Sequence, residues 1–484
     1  MSDRNNAKPS IVIAGASGFV GRALALRLAD SFHVIGLSRS PQTPKHDEGV
    51  HEWRVVDLFS RSETEAALKG AKYGVFLVHS MLRTAHLTQG GFDELDMLAA
   101  DNFARAATSA QCEQLIYLGG LVPPKTPHLS EHLASRLEVE RVLDRGVVPV
   151  TTLRAGLIVG PGGSSFEMMS RLVDRLPVML LPRWTETPTQ PVALHDVIAL
   201  LDFVIGRRET FGQTYDVGGP DVMSYRQMIE RTAMVLGKRL RTWGVPAVTP
   251  KLSTLWISLV TGAPSALVAP LVQSLLVPTV ANDRRLQDLA RLEPTPFEQA
   301  VRESLAAETA HGRFPAPGPT KTRDVRSVQR LPLPEGRDAA WVADEYLRWL
   351  PAHLRPFLRV ETDGSVVRFV AEPIDRELLR FDRVPRSNEI DRALFTLTGG
   401  MLWRAGSPSK ARFEFRAYPE QRTALVALHD FTPRLPWWLY VPTQALAHEV
   451  LMKAFARHLA HQTPAPVTKV TQTPVATDHL VAAR

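Results

Sequence analysis

Gly15, Gly18 and Gly21 stand in the spacing Gly-x-x-Gly-x-x-Gly, directly after the apolar run Ser10–Ala14. That spacing suits a turn bringing backbone amides up to a pyrophosphate. Gly15 allows the tight turn, Gly18 lets the backbone approach the anion, and Gly21 lets the following helix pack closely on the strand. Alone the signal is weak. Set between a strand and a helical pattern over Val20–Ala29, it points to a dinucleotide. The next apolar run, His33–Leu37, ends at Ser38-Arg39-Ser40, where a carboxylate would grip a ribose 2′-hydroxyl. Arg39 can pair instead with a 2′-phosphate, which favours NADP while leaving NAD possible; a solvated arginine is the alternative. Asp57 closes a third run, Trp53–Val56, and reads either as an acceptor for an adenine amino group or as a turn residue.

Two histidines could move protons. His79 follows the fourth run, Val75–Val78, on the carboxyl edge where open parallel sheets bind ligands. His132 opens the stretch His132-Leu-Ala-Ser135-Arg136. An imidazole titrates near neutrality and can donate a proton when charged, so both are candidate acids, with a helix-face histidine in a purely binding site as the alternative. His46, His51, His79, His86 and His128 lack ligand spacing, and no metal is expected. The single cysteine, Cys112, precedes an apolar run and reads as buried.

Positioning these groups requires strands that alternate with helices. A fifth run, Leu115–Leu118, follows a helical pattern over Asn102–Ser109. A sixth, Val150–Val159, follows one over Ser135–Leu143. Such alternation predicts an α/β doubly wound parallel sheet. Further on, Ser224 should cap a helix starting near Tyr225. From Leu252 to Val280 no residue is charged, yet Gly262, Pro264, Pro270 and Pro278 cut the stretch. Two short helices over an apolar pocket is one reading, and contact with a membrane interface the other. Residues 307–327 are rich in Pro, Gly and Thr and read as a linker. A second pattern spans 328–461: a strand near Val328–Leu331, a helix over Ala339–Leu350, strands that include Leu358–Val360, Val366–Ala371, Ala393–Thr398, Ala411–Tyr418 and Thr423–His429, and a long helix near Thr443–His461. The Thr/Pro-rich tail at 462–484 is expected to be disordered.

The chain has 484 residues, 44% hydrophobic and 22% charged, with a net charge of +7 and a single cysteine. Length calls for more than one core. The positive charge is scattered arginine without a dense basic block, so no nucleic-acid partner is expected. The first strand begins within ten residues, which leaves no room for a signal peptide, and a cytoplasmic location follows as an expectation.

GASGFVG (15–21), VVDLF (55–59), LRAGLIVGPGG (153–163) and YDVGGPDVMSYRQMI (215–229) together resemble the extended and atypical branch of the short-chain dehydrogenase/reductase superfamily, over about residues 9–305. The likeness includes NAD-dependent epimerase/dehydratase-like and NmrA-like proteins. LVHSM (77–81), YLGGL (117–121) and HLASRLEVERVL (132–143) look most like its atypical members. The resemblance implies a Rossmann domain with cofactor contacts at Gly15, Ser17, Gly18, Phe19, Val20, Gly21, Arg39, Asp57, Leu58, Val78 and Arg154. Catalytic relatives use a Tyr-x-x-x-Lys pair for proton transfer; the matching positions here are His132 and Arg136, and none of the seven tyrosines has a lysine four residues on. Gly119-Gly120 stands where those relatives carry a serine. His195-Asp196 resembles the family's turn before a helix. The strand–helix–strands–helix order after 328 resembles an α+β helix-grip (START-like, SRPBCC) domain, which would suit an apolar ligand; Pro436-Trp437-Trp438-Leu439-Tyr440-Val441 could line its mouth, touch a membrane, or pack the sheet on the helix.

Two functions remain open. One is an NADPH-dependent reductase of an apolar carbonyl or quinone-like substrate, with His132, Arg136 and His79 as catalytic candidates and peripheral membrane contact possible. The other is a non-catalytic NAD(P)-binding redox sensor or assembly protein, akin to NmrA-like proteins or an accessory subunit of respiratory complex I.

Overall fold

The computed structural model describes residues 8–42, 48–80, 87–123, 129–245, 250–262, 265–311, 324–385, 390–404 and 411–462. His46, His86, His128, most of the expected linker and the tail from 463 lie outside them. The chain forms two compact units. One comprises Met1–Arg83 and Gly91–Pro319, the other Thr84–Gly90 and Thr320–Arg484.

In the first unit the apolar runs become parallel strands. These are β1 (Ser10–Ala14), β2 (His33–Ser38), β3 (Glu52–Val55), β4 (Tyr73–Phe76), β5 (Gln114–Gly120) and β6 (Val150–Ala155). Two further strands are β7 (Val178–Pro182) and β8 (Thr214–Val217). The main sheet runs in the order β8-β6-β5-β4-β1-β2-β3. Helices α1 (Phe19–Leu28), α2 (Arg61–Leu68), α3 (Phe92–Ser109) and α4 (Glu131–Asp144) connect the strands. The order reverses between β1 and β4, and at such a switch point the carboxyl strand ends open a crevice for ligand. Strands buried on both faces read as continuous apolar runs, which is why β1 (Ile11, Val12 and Ile13 wholly buried) was easy to find. Cys112 is buried, its Sγ donates to the Ala71 carbonyl, and burial pushes the thiol up to about 11.

Helix α5 (Ser164–Arg175) roofs the crevice, and α6 (Leu194–Val204) packs with α1 against the sheet. Helices α7 (Tyr225–Val235), α8 (Pro250–Thr261) and α9 (Ser265–Ser274) complete the roof, with strand β9 (Arg241–Val245) pairing parallel to β7. Ser224 caps α7 as expected, accepting from Gln227 N. The uncharged stretch is two short helices, and among the described residues no helix is long and apolar enough to cross a membrane. The last helix of this unit runs over Phe297–His311, past the expected boundary at 306.

The second unit is an antiparallel sheet of Leu358–Asp363, Val366–Ala371, Arg376–Arg383, Arg392–Gly399, Arg412–Tyr418, Thr423–Phe431 and Val325–Pro332, in that spatial order. Leu87–Gln89 adds a parallel edge strand against Val325–Ser327. Helices Ala339–His353 and Leu446–Ala460 cover one face. Tyr346 packs edge-on against Phe413 and Phe455, at centroid distances of 5.6 and 5.1 Å, and tilted against Phe415 at 5.9 Å. Aromatic packing thus joins helices to sheet. In the Trp437–Tyr440 turn, Trp437 and Tyr440 pack together and Tyr440 meets Phe431, while Trp438 is exposed.

Candidate active site

The glycine loop has the geometry its spacing predicts. Gly15 has φ +94°, and a Cβ there would lie 3.1 Å from the Leu77 backbone. Gly18 N donates to Gly15 O at 2.9 Å, and Gly18 begins α1 without a side-chain cap. A Cβ on Gly21 would lie 2.1 Å from Gly15 O, so only glycine fits where helix meets loop. This cradle fits a dinucleotide phosphate: its wall is backbone, and it lies at the amino end of α1, where the helix dipole favours an anion. Ser17 is exposed at the tip, Phe19 is half-buried, and Val20 packs into the core beneath.

The other expected cofactor contacts are spread more widely. Arg39 is exposed at the carboxyl end of β2. The Asp57 carboxylate accepts from Phe59 N at 3.2 Å, and Asp57 N donates to Glu63 Oε2 at 3.0 Å, which makes it a turn residue. The Leu58 carbonyl accepts from Asn102, and the Val78 carbonyl from Arg136. Arg154 stands apart from the loop. Its guanidinium forms a two-pronged pair with Glu140, Nε at 2.9 Å and Nη2 at 2.5 Å, which also raises its pKa. A side chain so engaged is held by α4 rather than offered to a nucleotide. Asp196 is buried in the first turn of α6 and accepts from Thr295 N and Oγ1.

The two histidines, separate candidates in the sequence, are one chain in the fold. Asp96, wholly buried on α3, binds Ser80 N through Oδ1 at 2.7 Å. Its Oδ2 faces His79 Nδ1 at 2.6 Å. His79 Nε2 faces His132 Nδ1 at 3.1 Å. A carboxylate only accepts, so His79 Nδ1 carries the proton and donates. Neutral His79 then accepts at Nε2, so His132 Nδ1 donates, which leaves His132 Nε2 as the acceptor at the end of the chain. Burial lowers the His79 pKa against the opposing pull of Asp96. Burial, then His79 and Arg136, push His132 down to about 3. His132 is therefore neutral at pH 7 and presents an acceptor. This corrects the expectation of a charged acid: desolvation outweighs the distant carboxylate.

Arg136 also departs from expectation. Nη1 donates to Val78 O at 3.2 Å and Nη2 to Leu118 O at 2.9 Å, and the side chain is only 8% exposed. Its fork ties β4 to β5 and does not reach out for a ribose as the family's lysine would. It also lies 3.9 Å from Asp96 Oδ2, balancing that buried charge. Asp96 and the Tyr117 hydroxyl, which donates to Arg136 O, were not singled out from sequence. The only sequence signal for Asp96 is a charge inside the otherwise apolar stretch Leu95–Ala100.

His132 opens onto a cavity of about 350 Å³. Phe19 of the glycine loop, Gly120 at the end of β5, Met169 of α5, and Ile257 and Val272 of α8 and α9 also line it. The Gly119-Gly120 position thus borders the cavity without any hydroxyl. Phe19, at the start of α1, and His132, at the end of the histidine chain, thus line one largely apolar chamber. No metal-binding cluster of His, Cys, Asp or Glu occurs among the described residues.

Residues 11–182 match the model of the NAD dependent epimerase/dehydratase family. Auxiliary protein GraX of Staphylococcus aureus (strain NCTC 8325 / PS 47) is 30% identical over 113 residues, 23% of this chain and 37% of that protein. A mitochondrial NADH dehydrogenase (ubiquinone) 1 alpha subcomplex subunit 9 from Arabidopsis thaliana is 23% identical over 240 residues, 48% of this chain and 58% of the relative. The chain therefore spans less than two thirds of either curated relative. Among solved structures, a nucleoside-diphosphate-sugar epimerase from Staphylococcus aureus aligns with a TM-score of 0.50 at 15% identity, over 61% of this chain and 100% of that one; this likeness shows the fold. Residues 11–182 are thus similar to the epimerase/dehydratase family, and the first unit has a Rossmann-like fold.

Proposed function

We propose that the first unit is an NAD(P)-dependent oxidoreductase, an NADPH-dependent reductase of an apolar carbonyl or quinone-like molecule held in the cavity. The observation that carries this reading is the Asp96–His79–His132 chain ending in an apolar chamber that also touches the glycine loop. Gly15, Gly18 and Gly21 would hold the pyrophosphate and Arg39 the 2′-phosphate, and the bound nicotinamide supplies or takes up hydride.

The chain's residues manage the proton. Forming an imidazolium at His132 at pH 7, with a pKa pushed down to about 3, costs about 5 kcal/mol. The chain avoids that cost by moving protons in concert. When a substrate hydroxyl gives its proton to His132 Nε2, His132 Nδ1 passes one to His79 Nε2, and His79 Nδ1 passes one to Asp96. Both imidazoles stay neutral, and the net change is one proton on a buried carboxylate. Run in reverse, protonated Asp96 leaves His132 Nε2 carrying a proton for a developing alkoxide. Reduction consumes one hydride and that proton. This arrangement replaces the family's tyrosine and lysine with a relay that works in either direction.

Calorimetric titration with NADPH and NADH tests the binding half. NADPH should bind more tightly, and Arg39→Ala should weaken it by about 1.5–3 kcal/mol, the worth of a hydrogen bond to a charged group. A chain that binds neither nucleotide contradicts the proposal. The second reading, a nucleotide-holding sensor or assembly subunit, draws on the plant relative, named as a subunit of NADH dehydrogenase, and on the missing Tyr-x-x-x-Lys pair. Turnover that disappears in His132→Ala contradicts that reading. For the second unit, the strand–helix–strands–helix order supports a helix-grip reading with an apolar ligand.

A further inference from the structure

Helix α8 has two apolar faces, and the cavity uses only one. Ile257 and Thr261 are buried, and Ile257 lines the cavity. Leu255 and Leu259, one turn apart on the opposite face, are 65% and 81% exposed. Strands β7 and β9 hold two further exposed apolar residues, Leu180 and Trp243, in register, 55% and 60% exposed. Helix α5 ties α8 and these strands together at their ends. Arg171 and Arg175 at the end of α5 donate to the Thr261 and Val260 carbonyls at the end of α8, and Lys238 just before β9 pairs with Asp174 at 3.0 Å.

The rim of this apolar face is cationic. Lys238, Arg239 and Arg241 are exposed immediately ahead of Trp243, and Arg175 is exposed at the edge of α8. The acids nearby are engaged: Asp174 by Lys238, Glu230 by Thr242 of β9, and Glu186, just after β7, by Arg226. The 252–280 stretch contributes no charge of either sign. Leucines and a tryptophan ringed by lysine and arginine match the boundary of an anionic bilayer, where apolar side chains enter the acyl region and cations meet headgroups.

We infer that this face docks on an anionic lipid surface, with α8 and α9 lying between the lipid and the cavity. An apolar substrate then passes from the bilayer into the chamber without crossing water. The passage of substrate rests on the function proposed above, while the docking does not.

The test is sedimentation of the full chain with vesicles of phosphatidylcholine, with and without phosphatidylserine, at low and high salt. Binding should require phosphatidylserine and weaken with salt. Arg239→Ala with Arg241→Ala should lower partitioning by about 25-fold, about fivefold per cation. Leu255→Glu with Leu259→Glu should abolish it, and Trp243→Ala, a milder change that keeps the helix intact, should lower it several-fold. Failure to sediment with either vesicle, or equal binding to phosphatidylcholine alone, overturns the inference. A concentration-dependent dimer broken by the Leu255/Leu259 changes, with no vesicle binding, also overturns it and assigns the face to a second copy. Vesicle binding needs neither nucleotide nor turnover, so its failure and failure of the proposed chemistry are read separately.

Discussion

At the residue scale, the chemistry rests on which nitrogen of each imidazole carries a proton, and Asp96 fixes that. Asp96→Asn puts an amide that can donate beside His79 and reverses the order of donors along the chain. It should lower kcat by about 10²-fold or more, the scale of a positioned acid–base group, with nucleotide affinity unchanged in calorimetry. The low pKa of His132 also links to stability. Unfolded, the imidazole titrates near 6.5; folded, near 3. Between those values the unfolded state binds the extra proton, so stability falls as pH drops below 6.5. His132 alone should remove about 1.3 kcal/mol at pH 5.5 relative to pH 7. Urea denaturation at the two pH values should show that difference narrowing in His132→Asn, whose amide keeps the donor to His79. Both histidines were legible in the sequence, each at a strand or helix end. Their union was not, because they lie 53 positions apart and the carboxylate that orders them hides in an apolar helix.

Elements were legible where one period held. Strands β1 and β4 are continuous apolar runs, β5 carries one in Leu115–Leu118, and the uncharged 252–280 stretch reads as a helix pair over a pocket because Gly262, with φ +75°, breaks it. Arg376–Arg383 was missed. Its pairing shifts register on both sides, between Phe369 and Val370 and between Arg380 and Phe381, and such irregularities break the period-two pattern a reader looks for. Leu87–Gln89 is too short and polar to register at all. The glycine loop is the element with least tolerance. Gly21→Ala places a methyl 2.1 Å from Gly15 O, so thermal unfolding should show a loss of about 1–3 kcal/mol, together with weakened nucleotide binding. Unaltered stability and affinity would mean that the loop relaxes in a way this packing does not allow.

For the whole molecule, two units with separate cores predict two calorimetric transitions. NADPH at about 100 times its dissociation constant should stabilise one of them by about 2.7 kcal/mol and leave the other in place. That the chain carries more than one core was legible from its length. That residues 84–90 belong with the second unit was not, since a short edge strand leaves no pattern. The most direct test of the account is NADPH oxidation, followed by nicotinamide absorbance, across a panel of apolar quinones and carbonyls, with wild type and His132→Ala compared at matched nucleotide saturation. The account predicts turnover by wild type and its loss in His132→Ala while both bind NADPH alike. Undiminished turnover in His132→Ala, or a wild type that binds NADPH and oxidises it with no member of the panel, would contradict it.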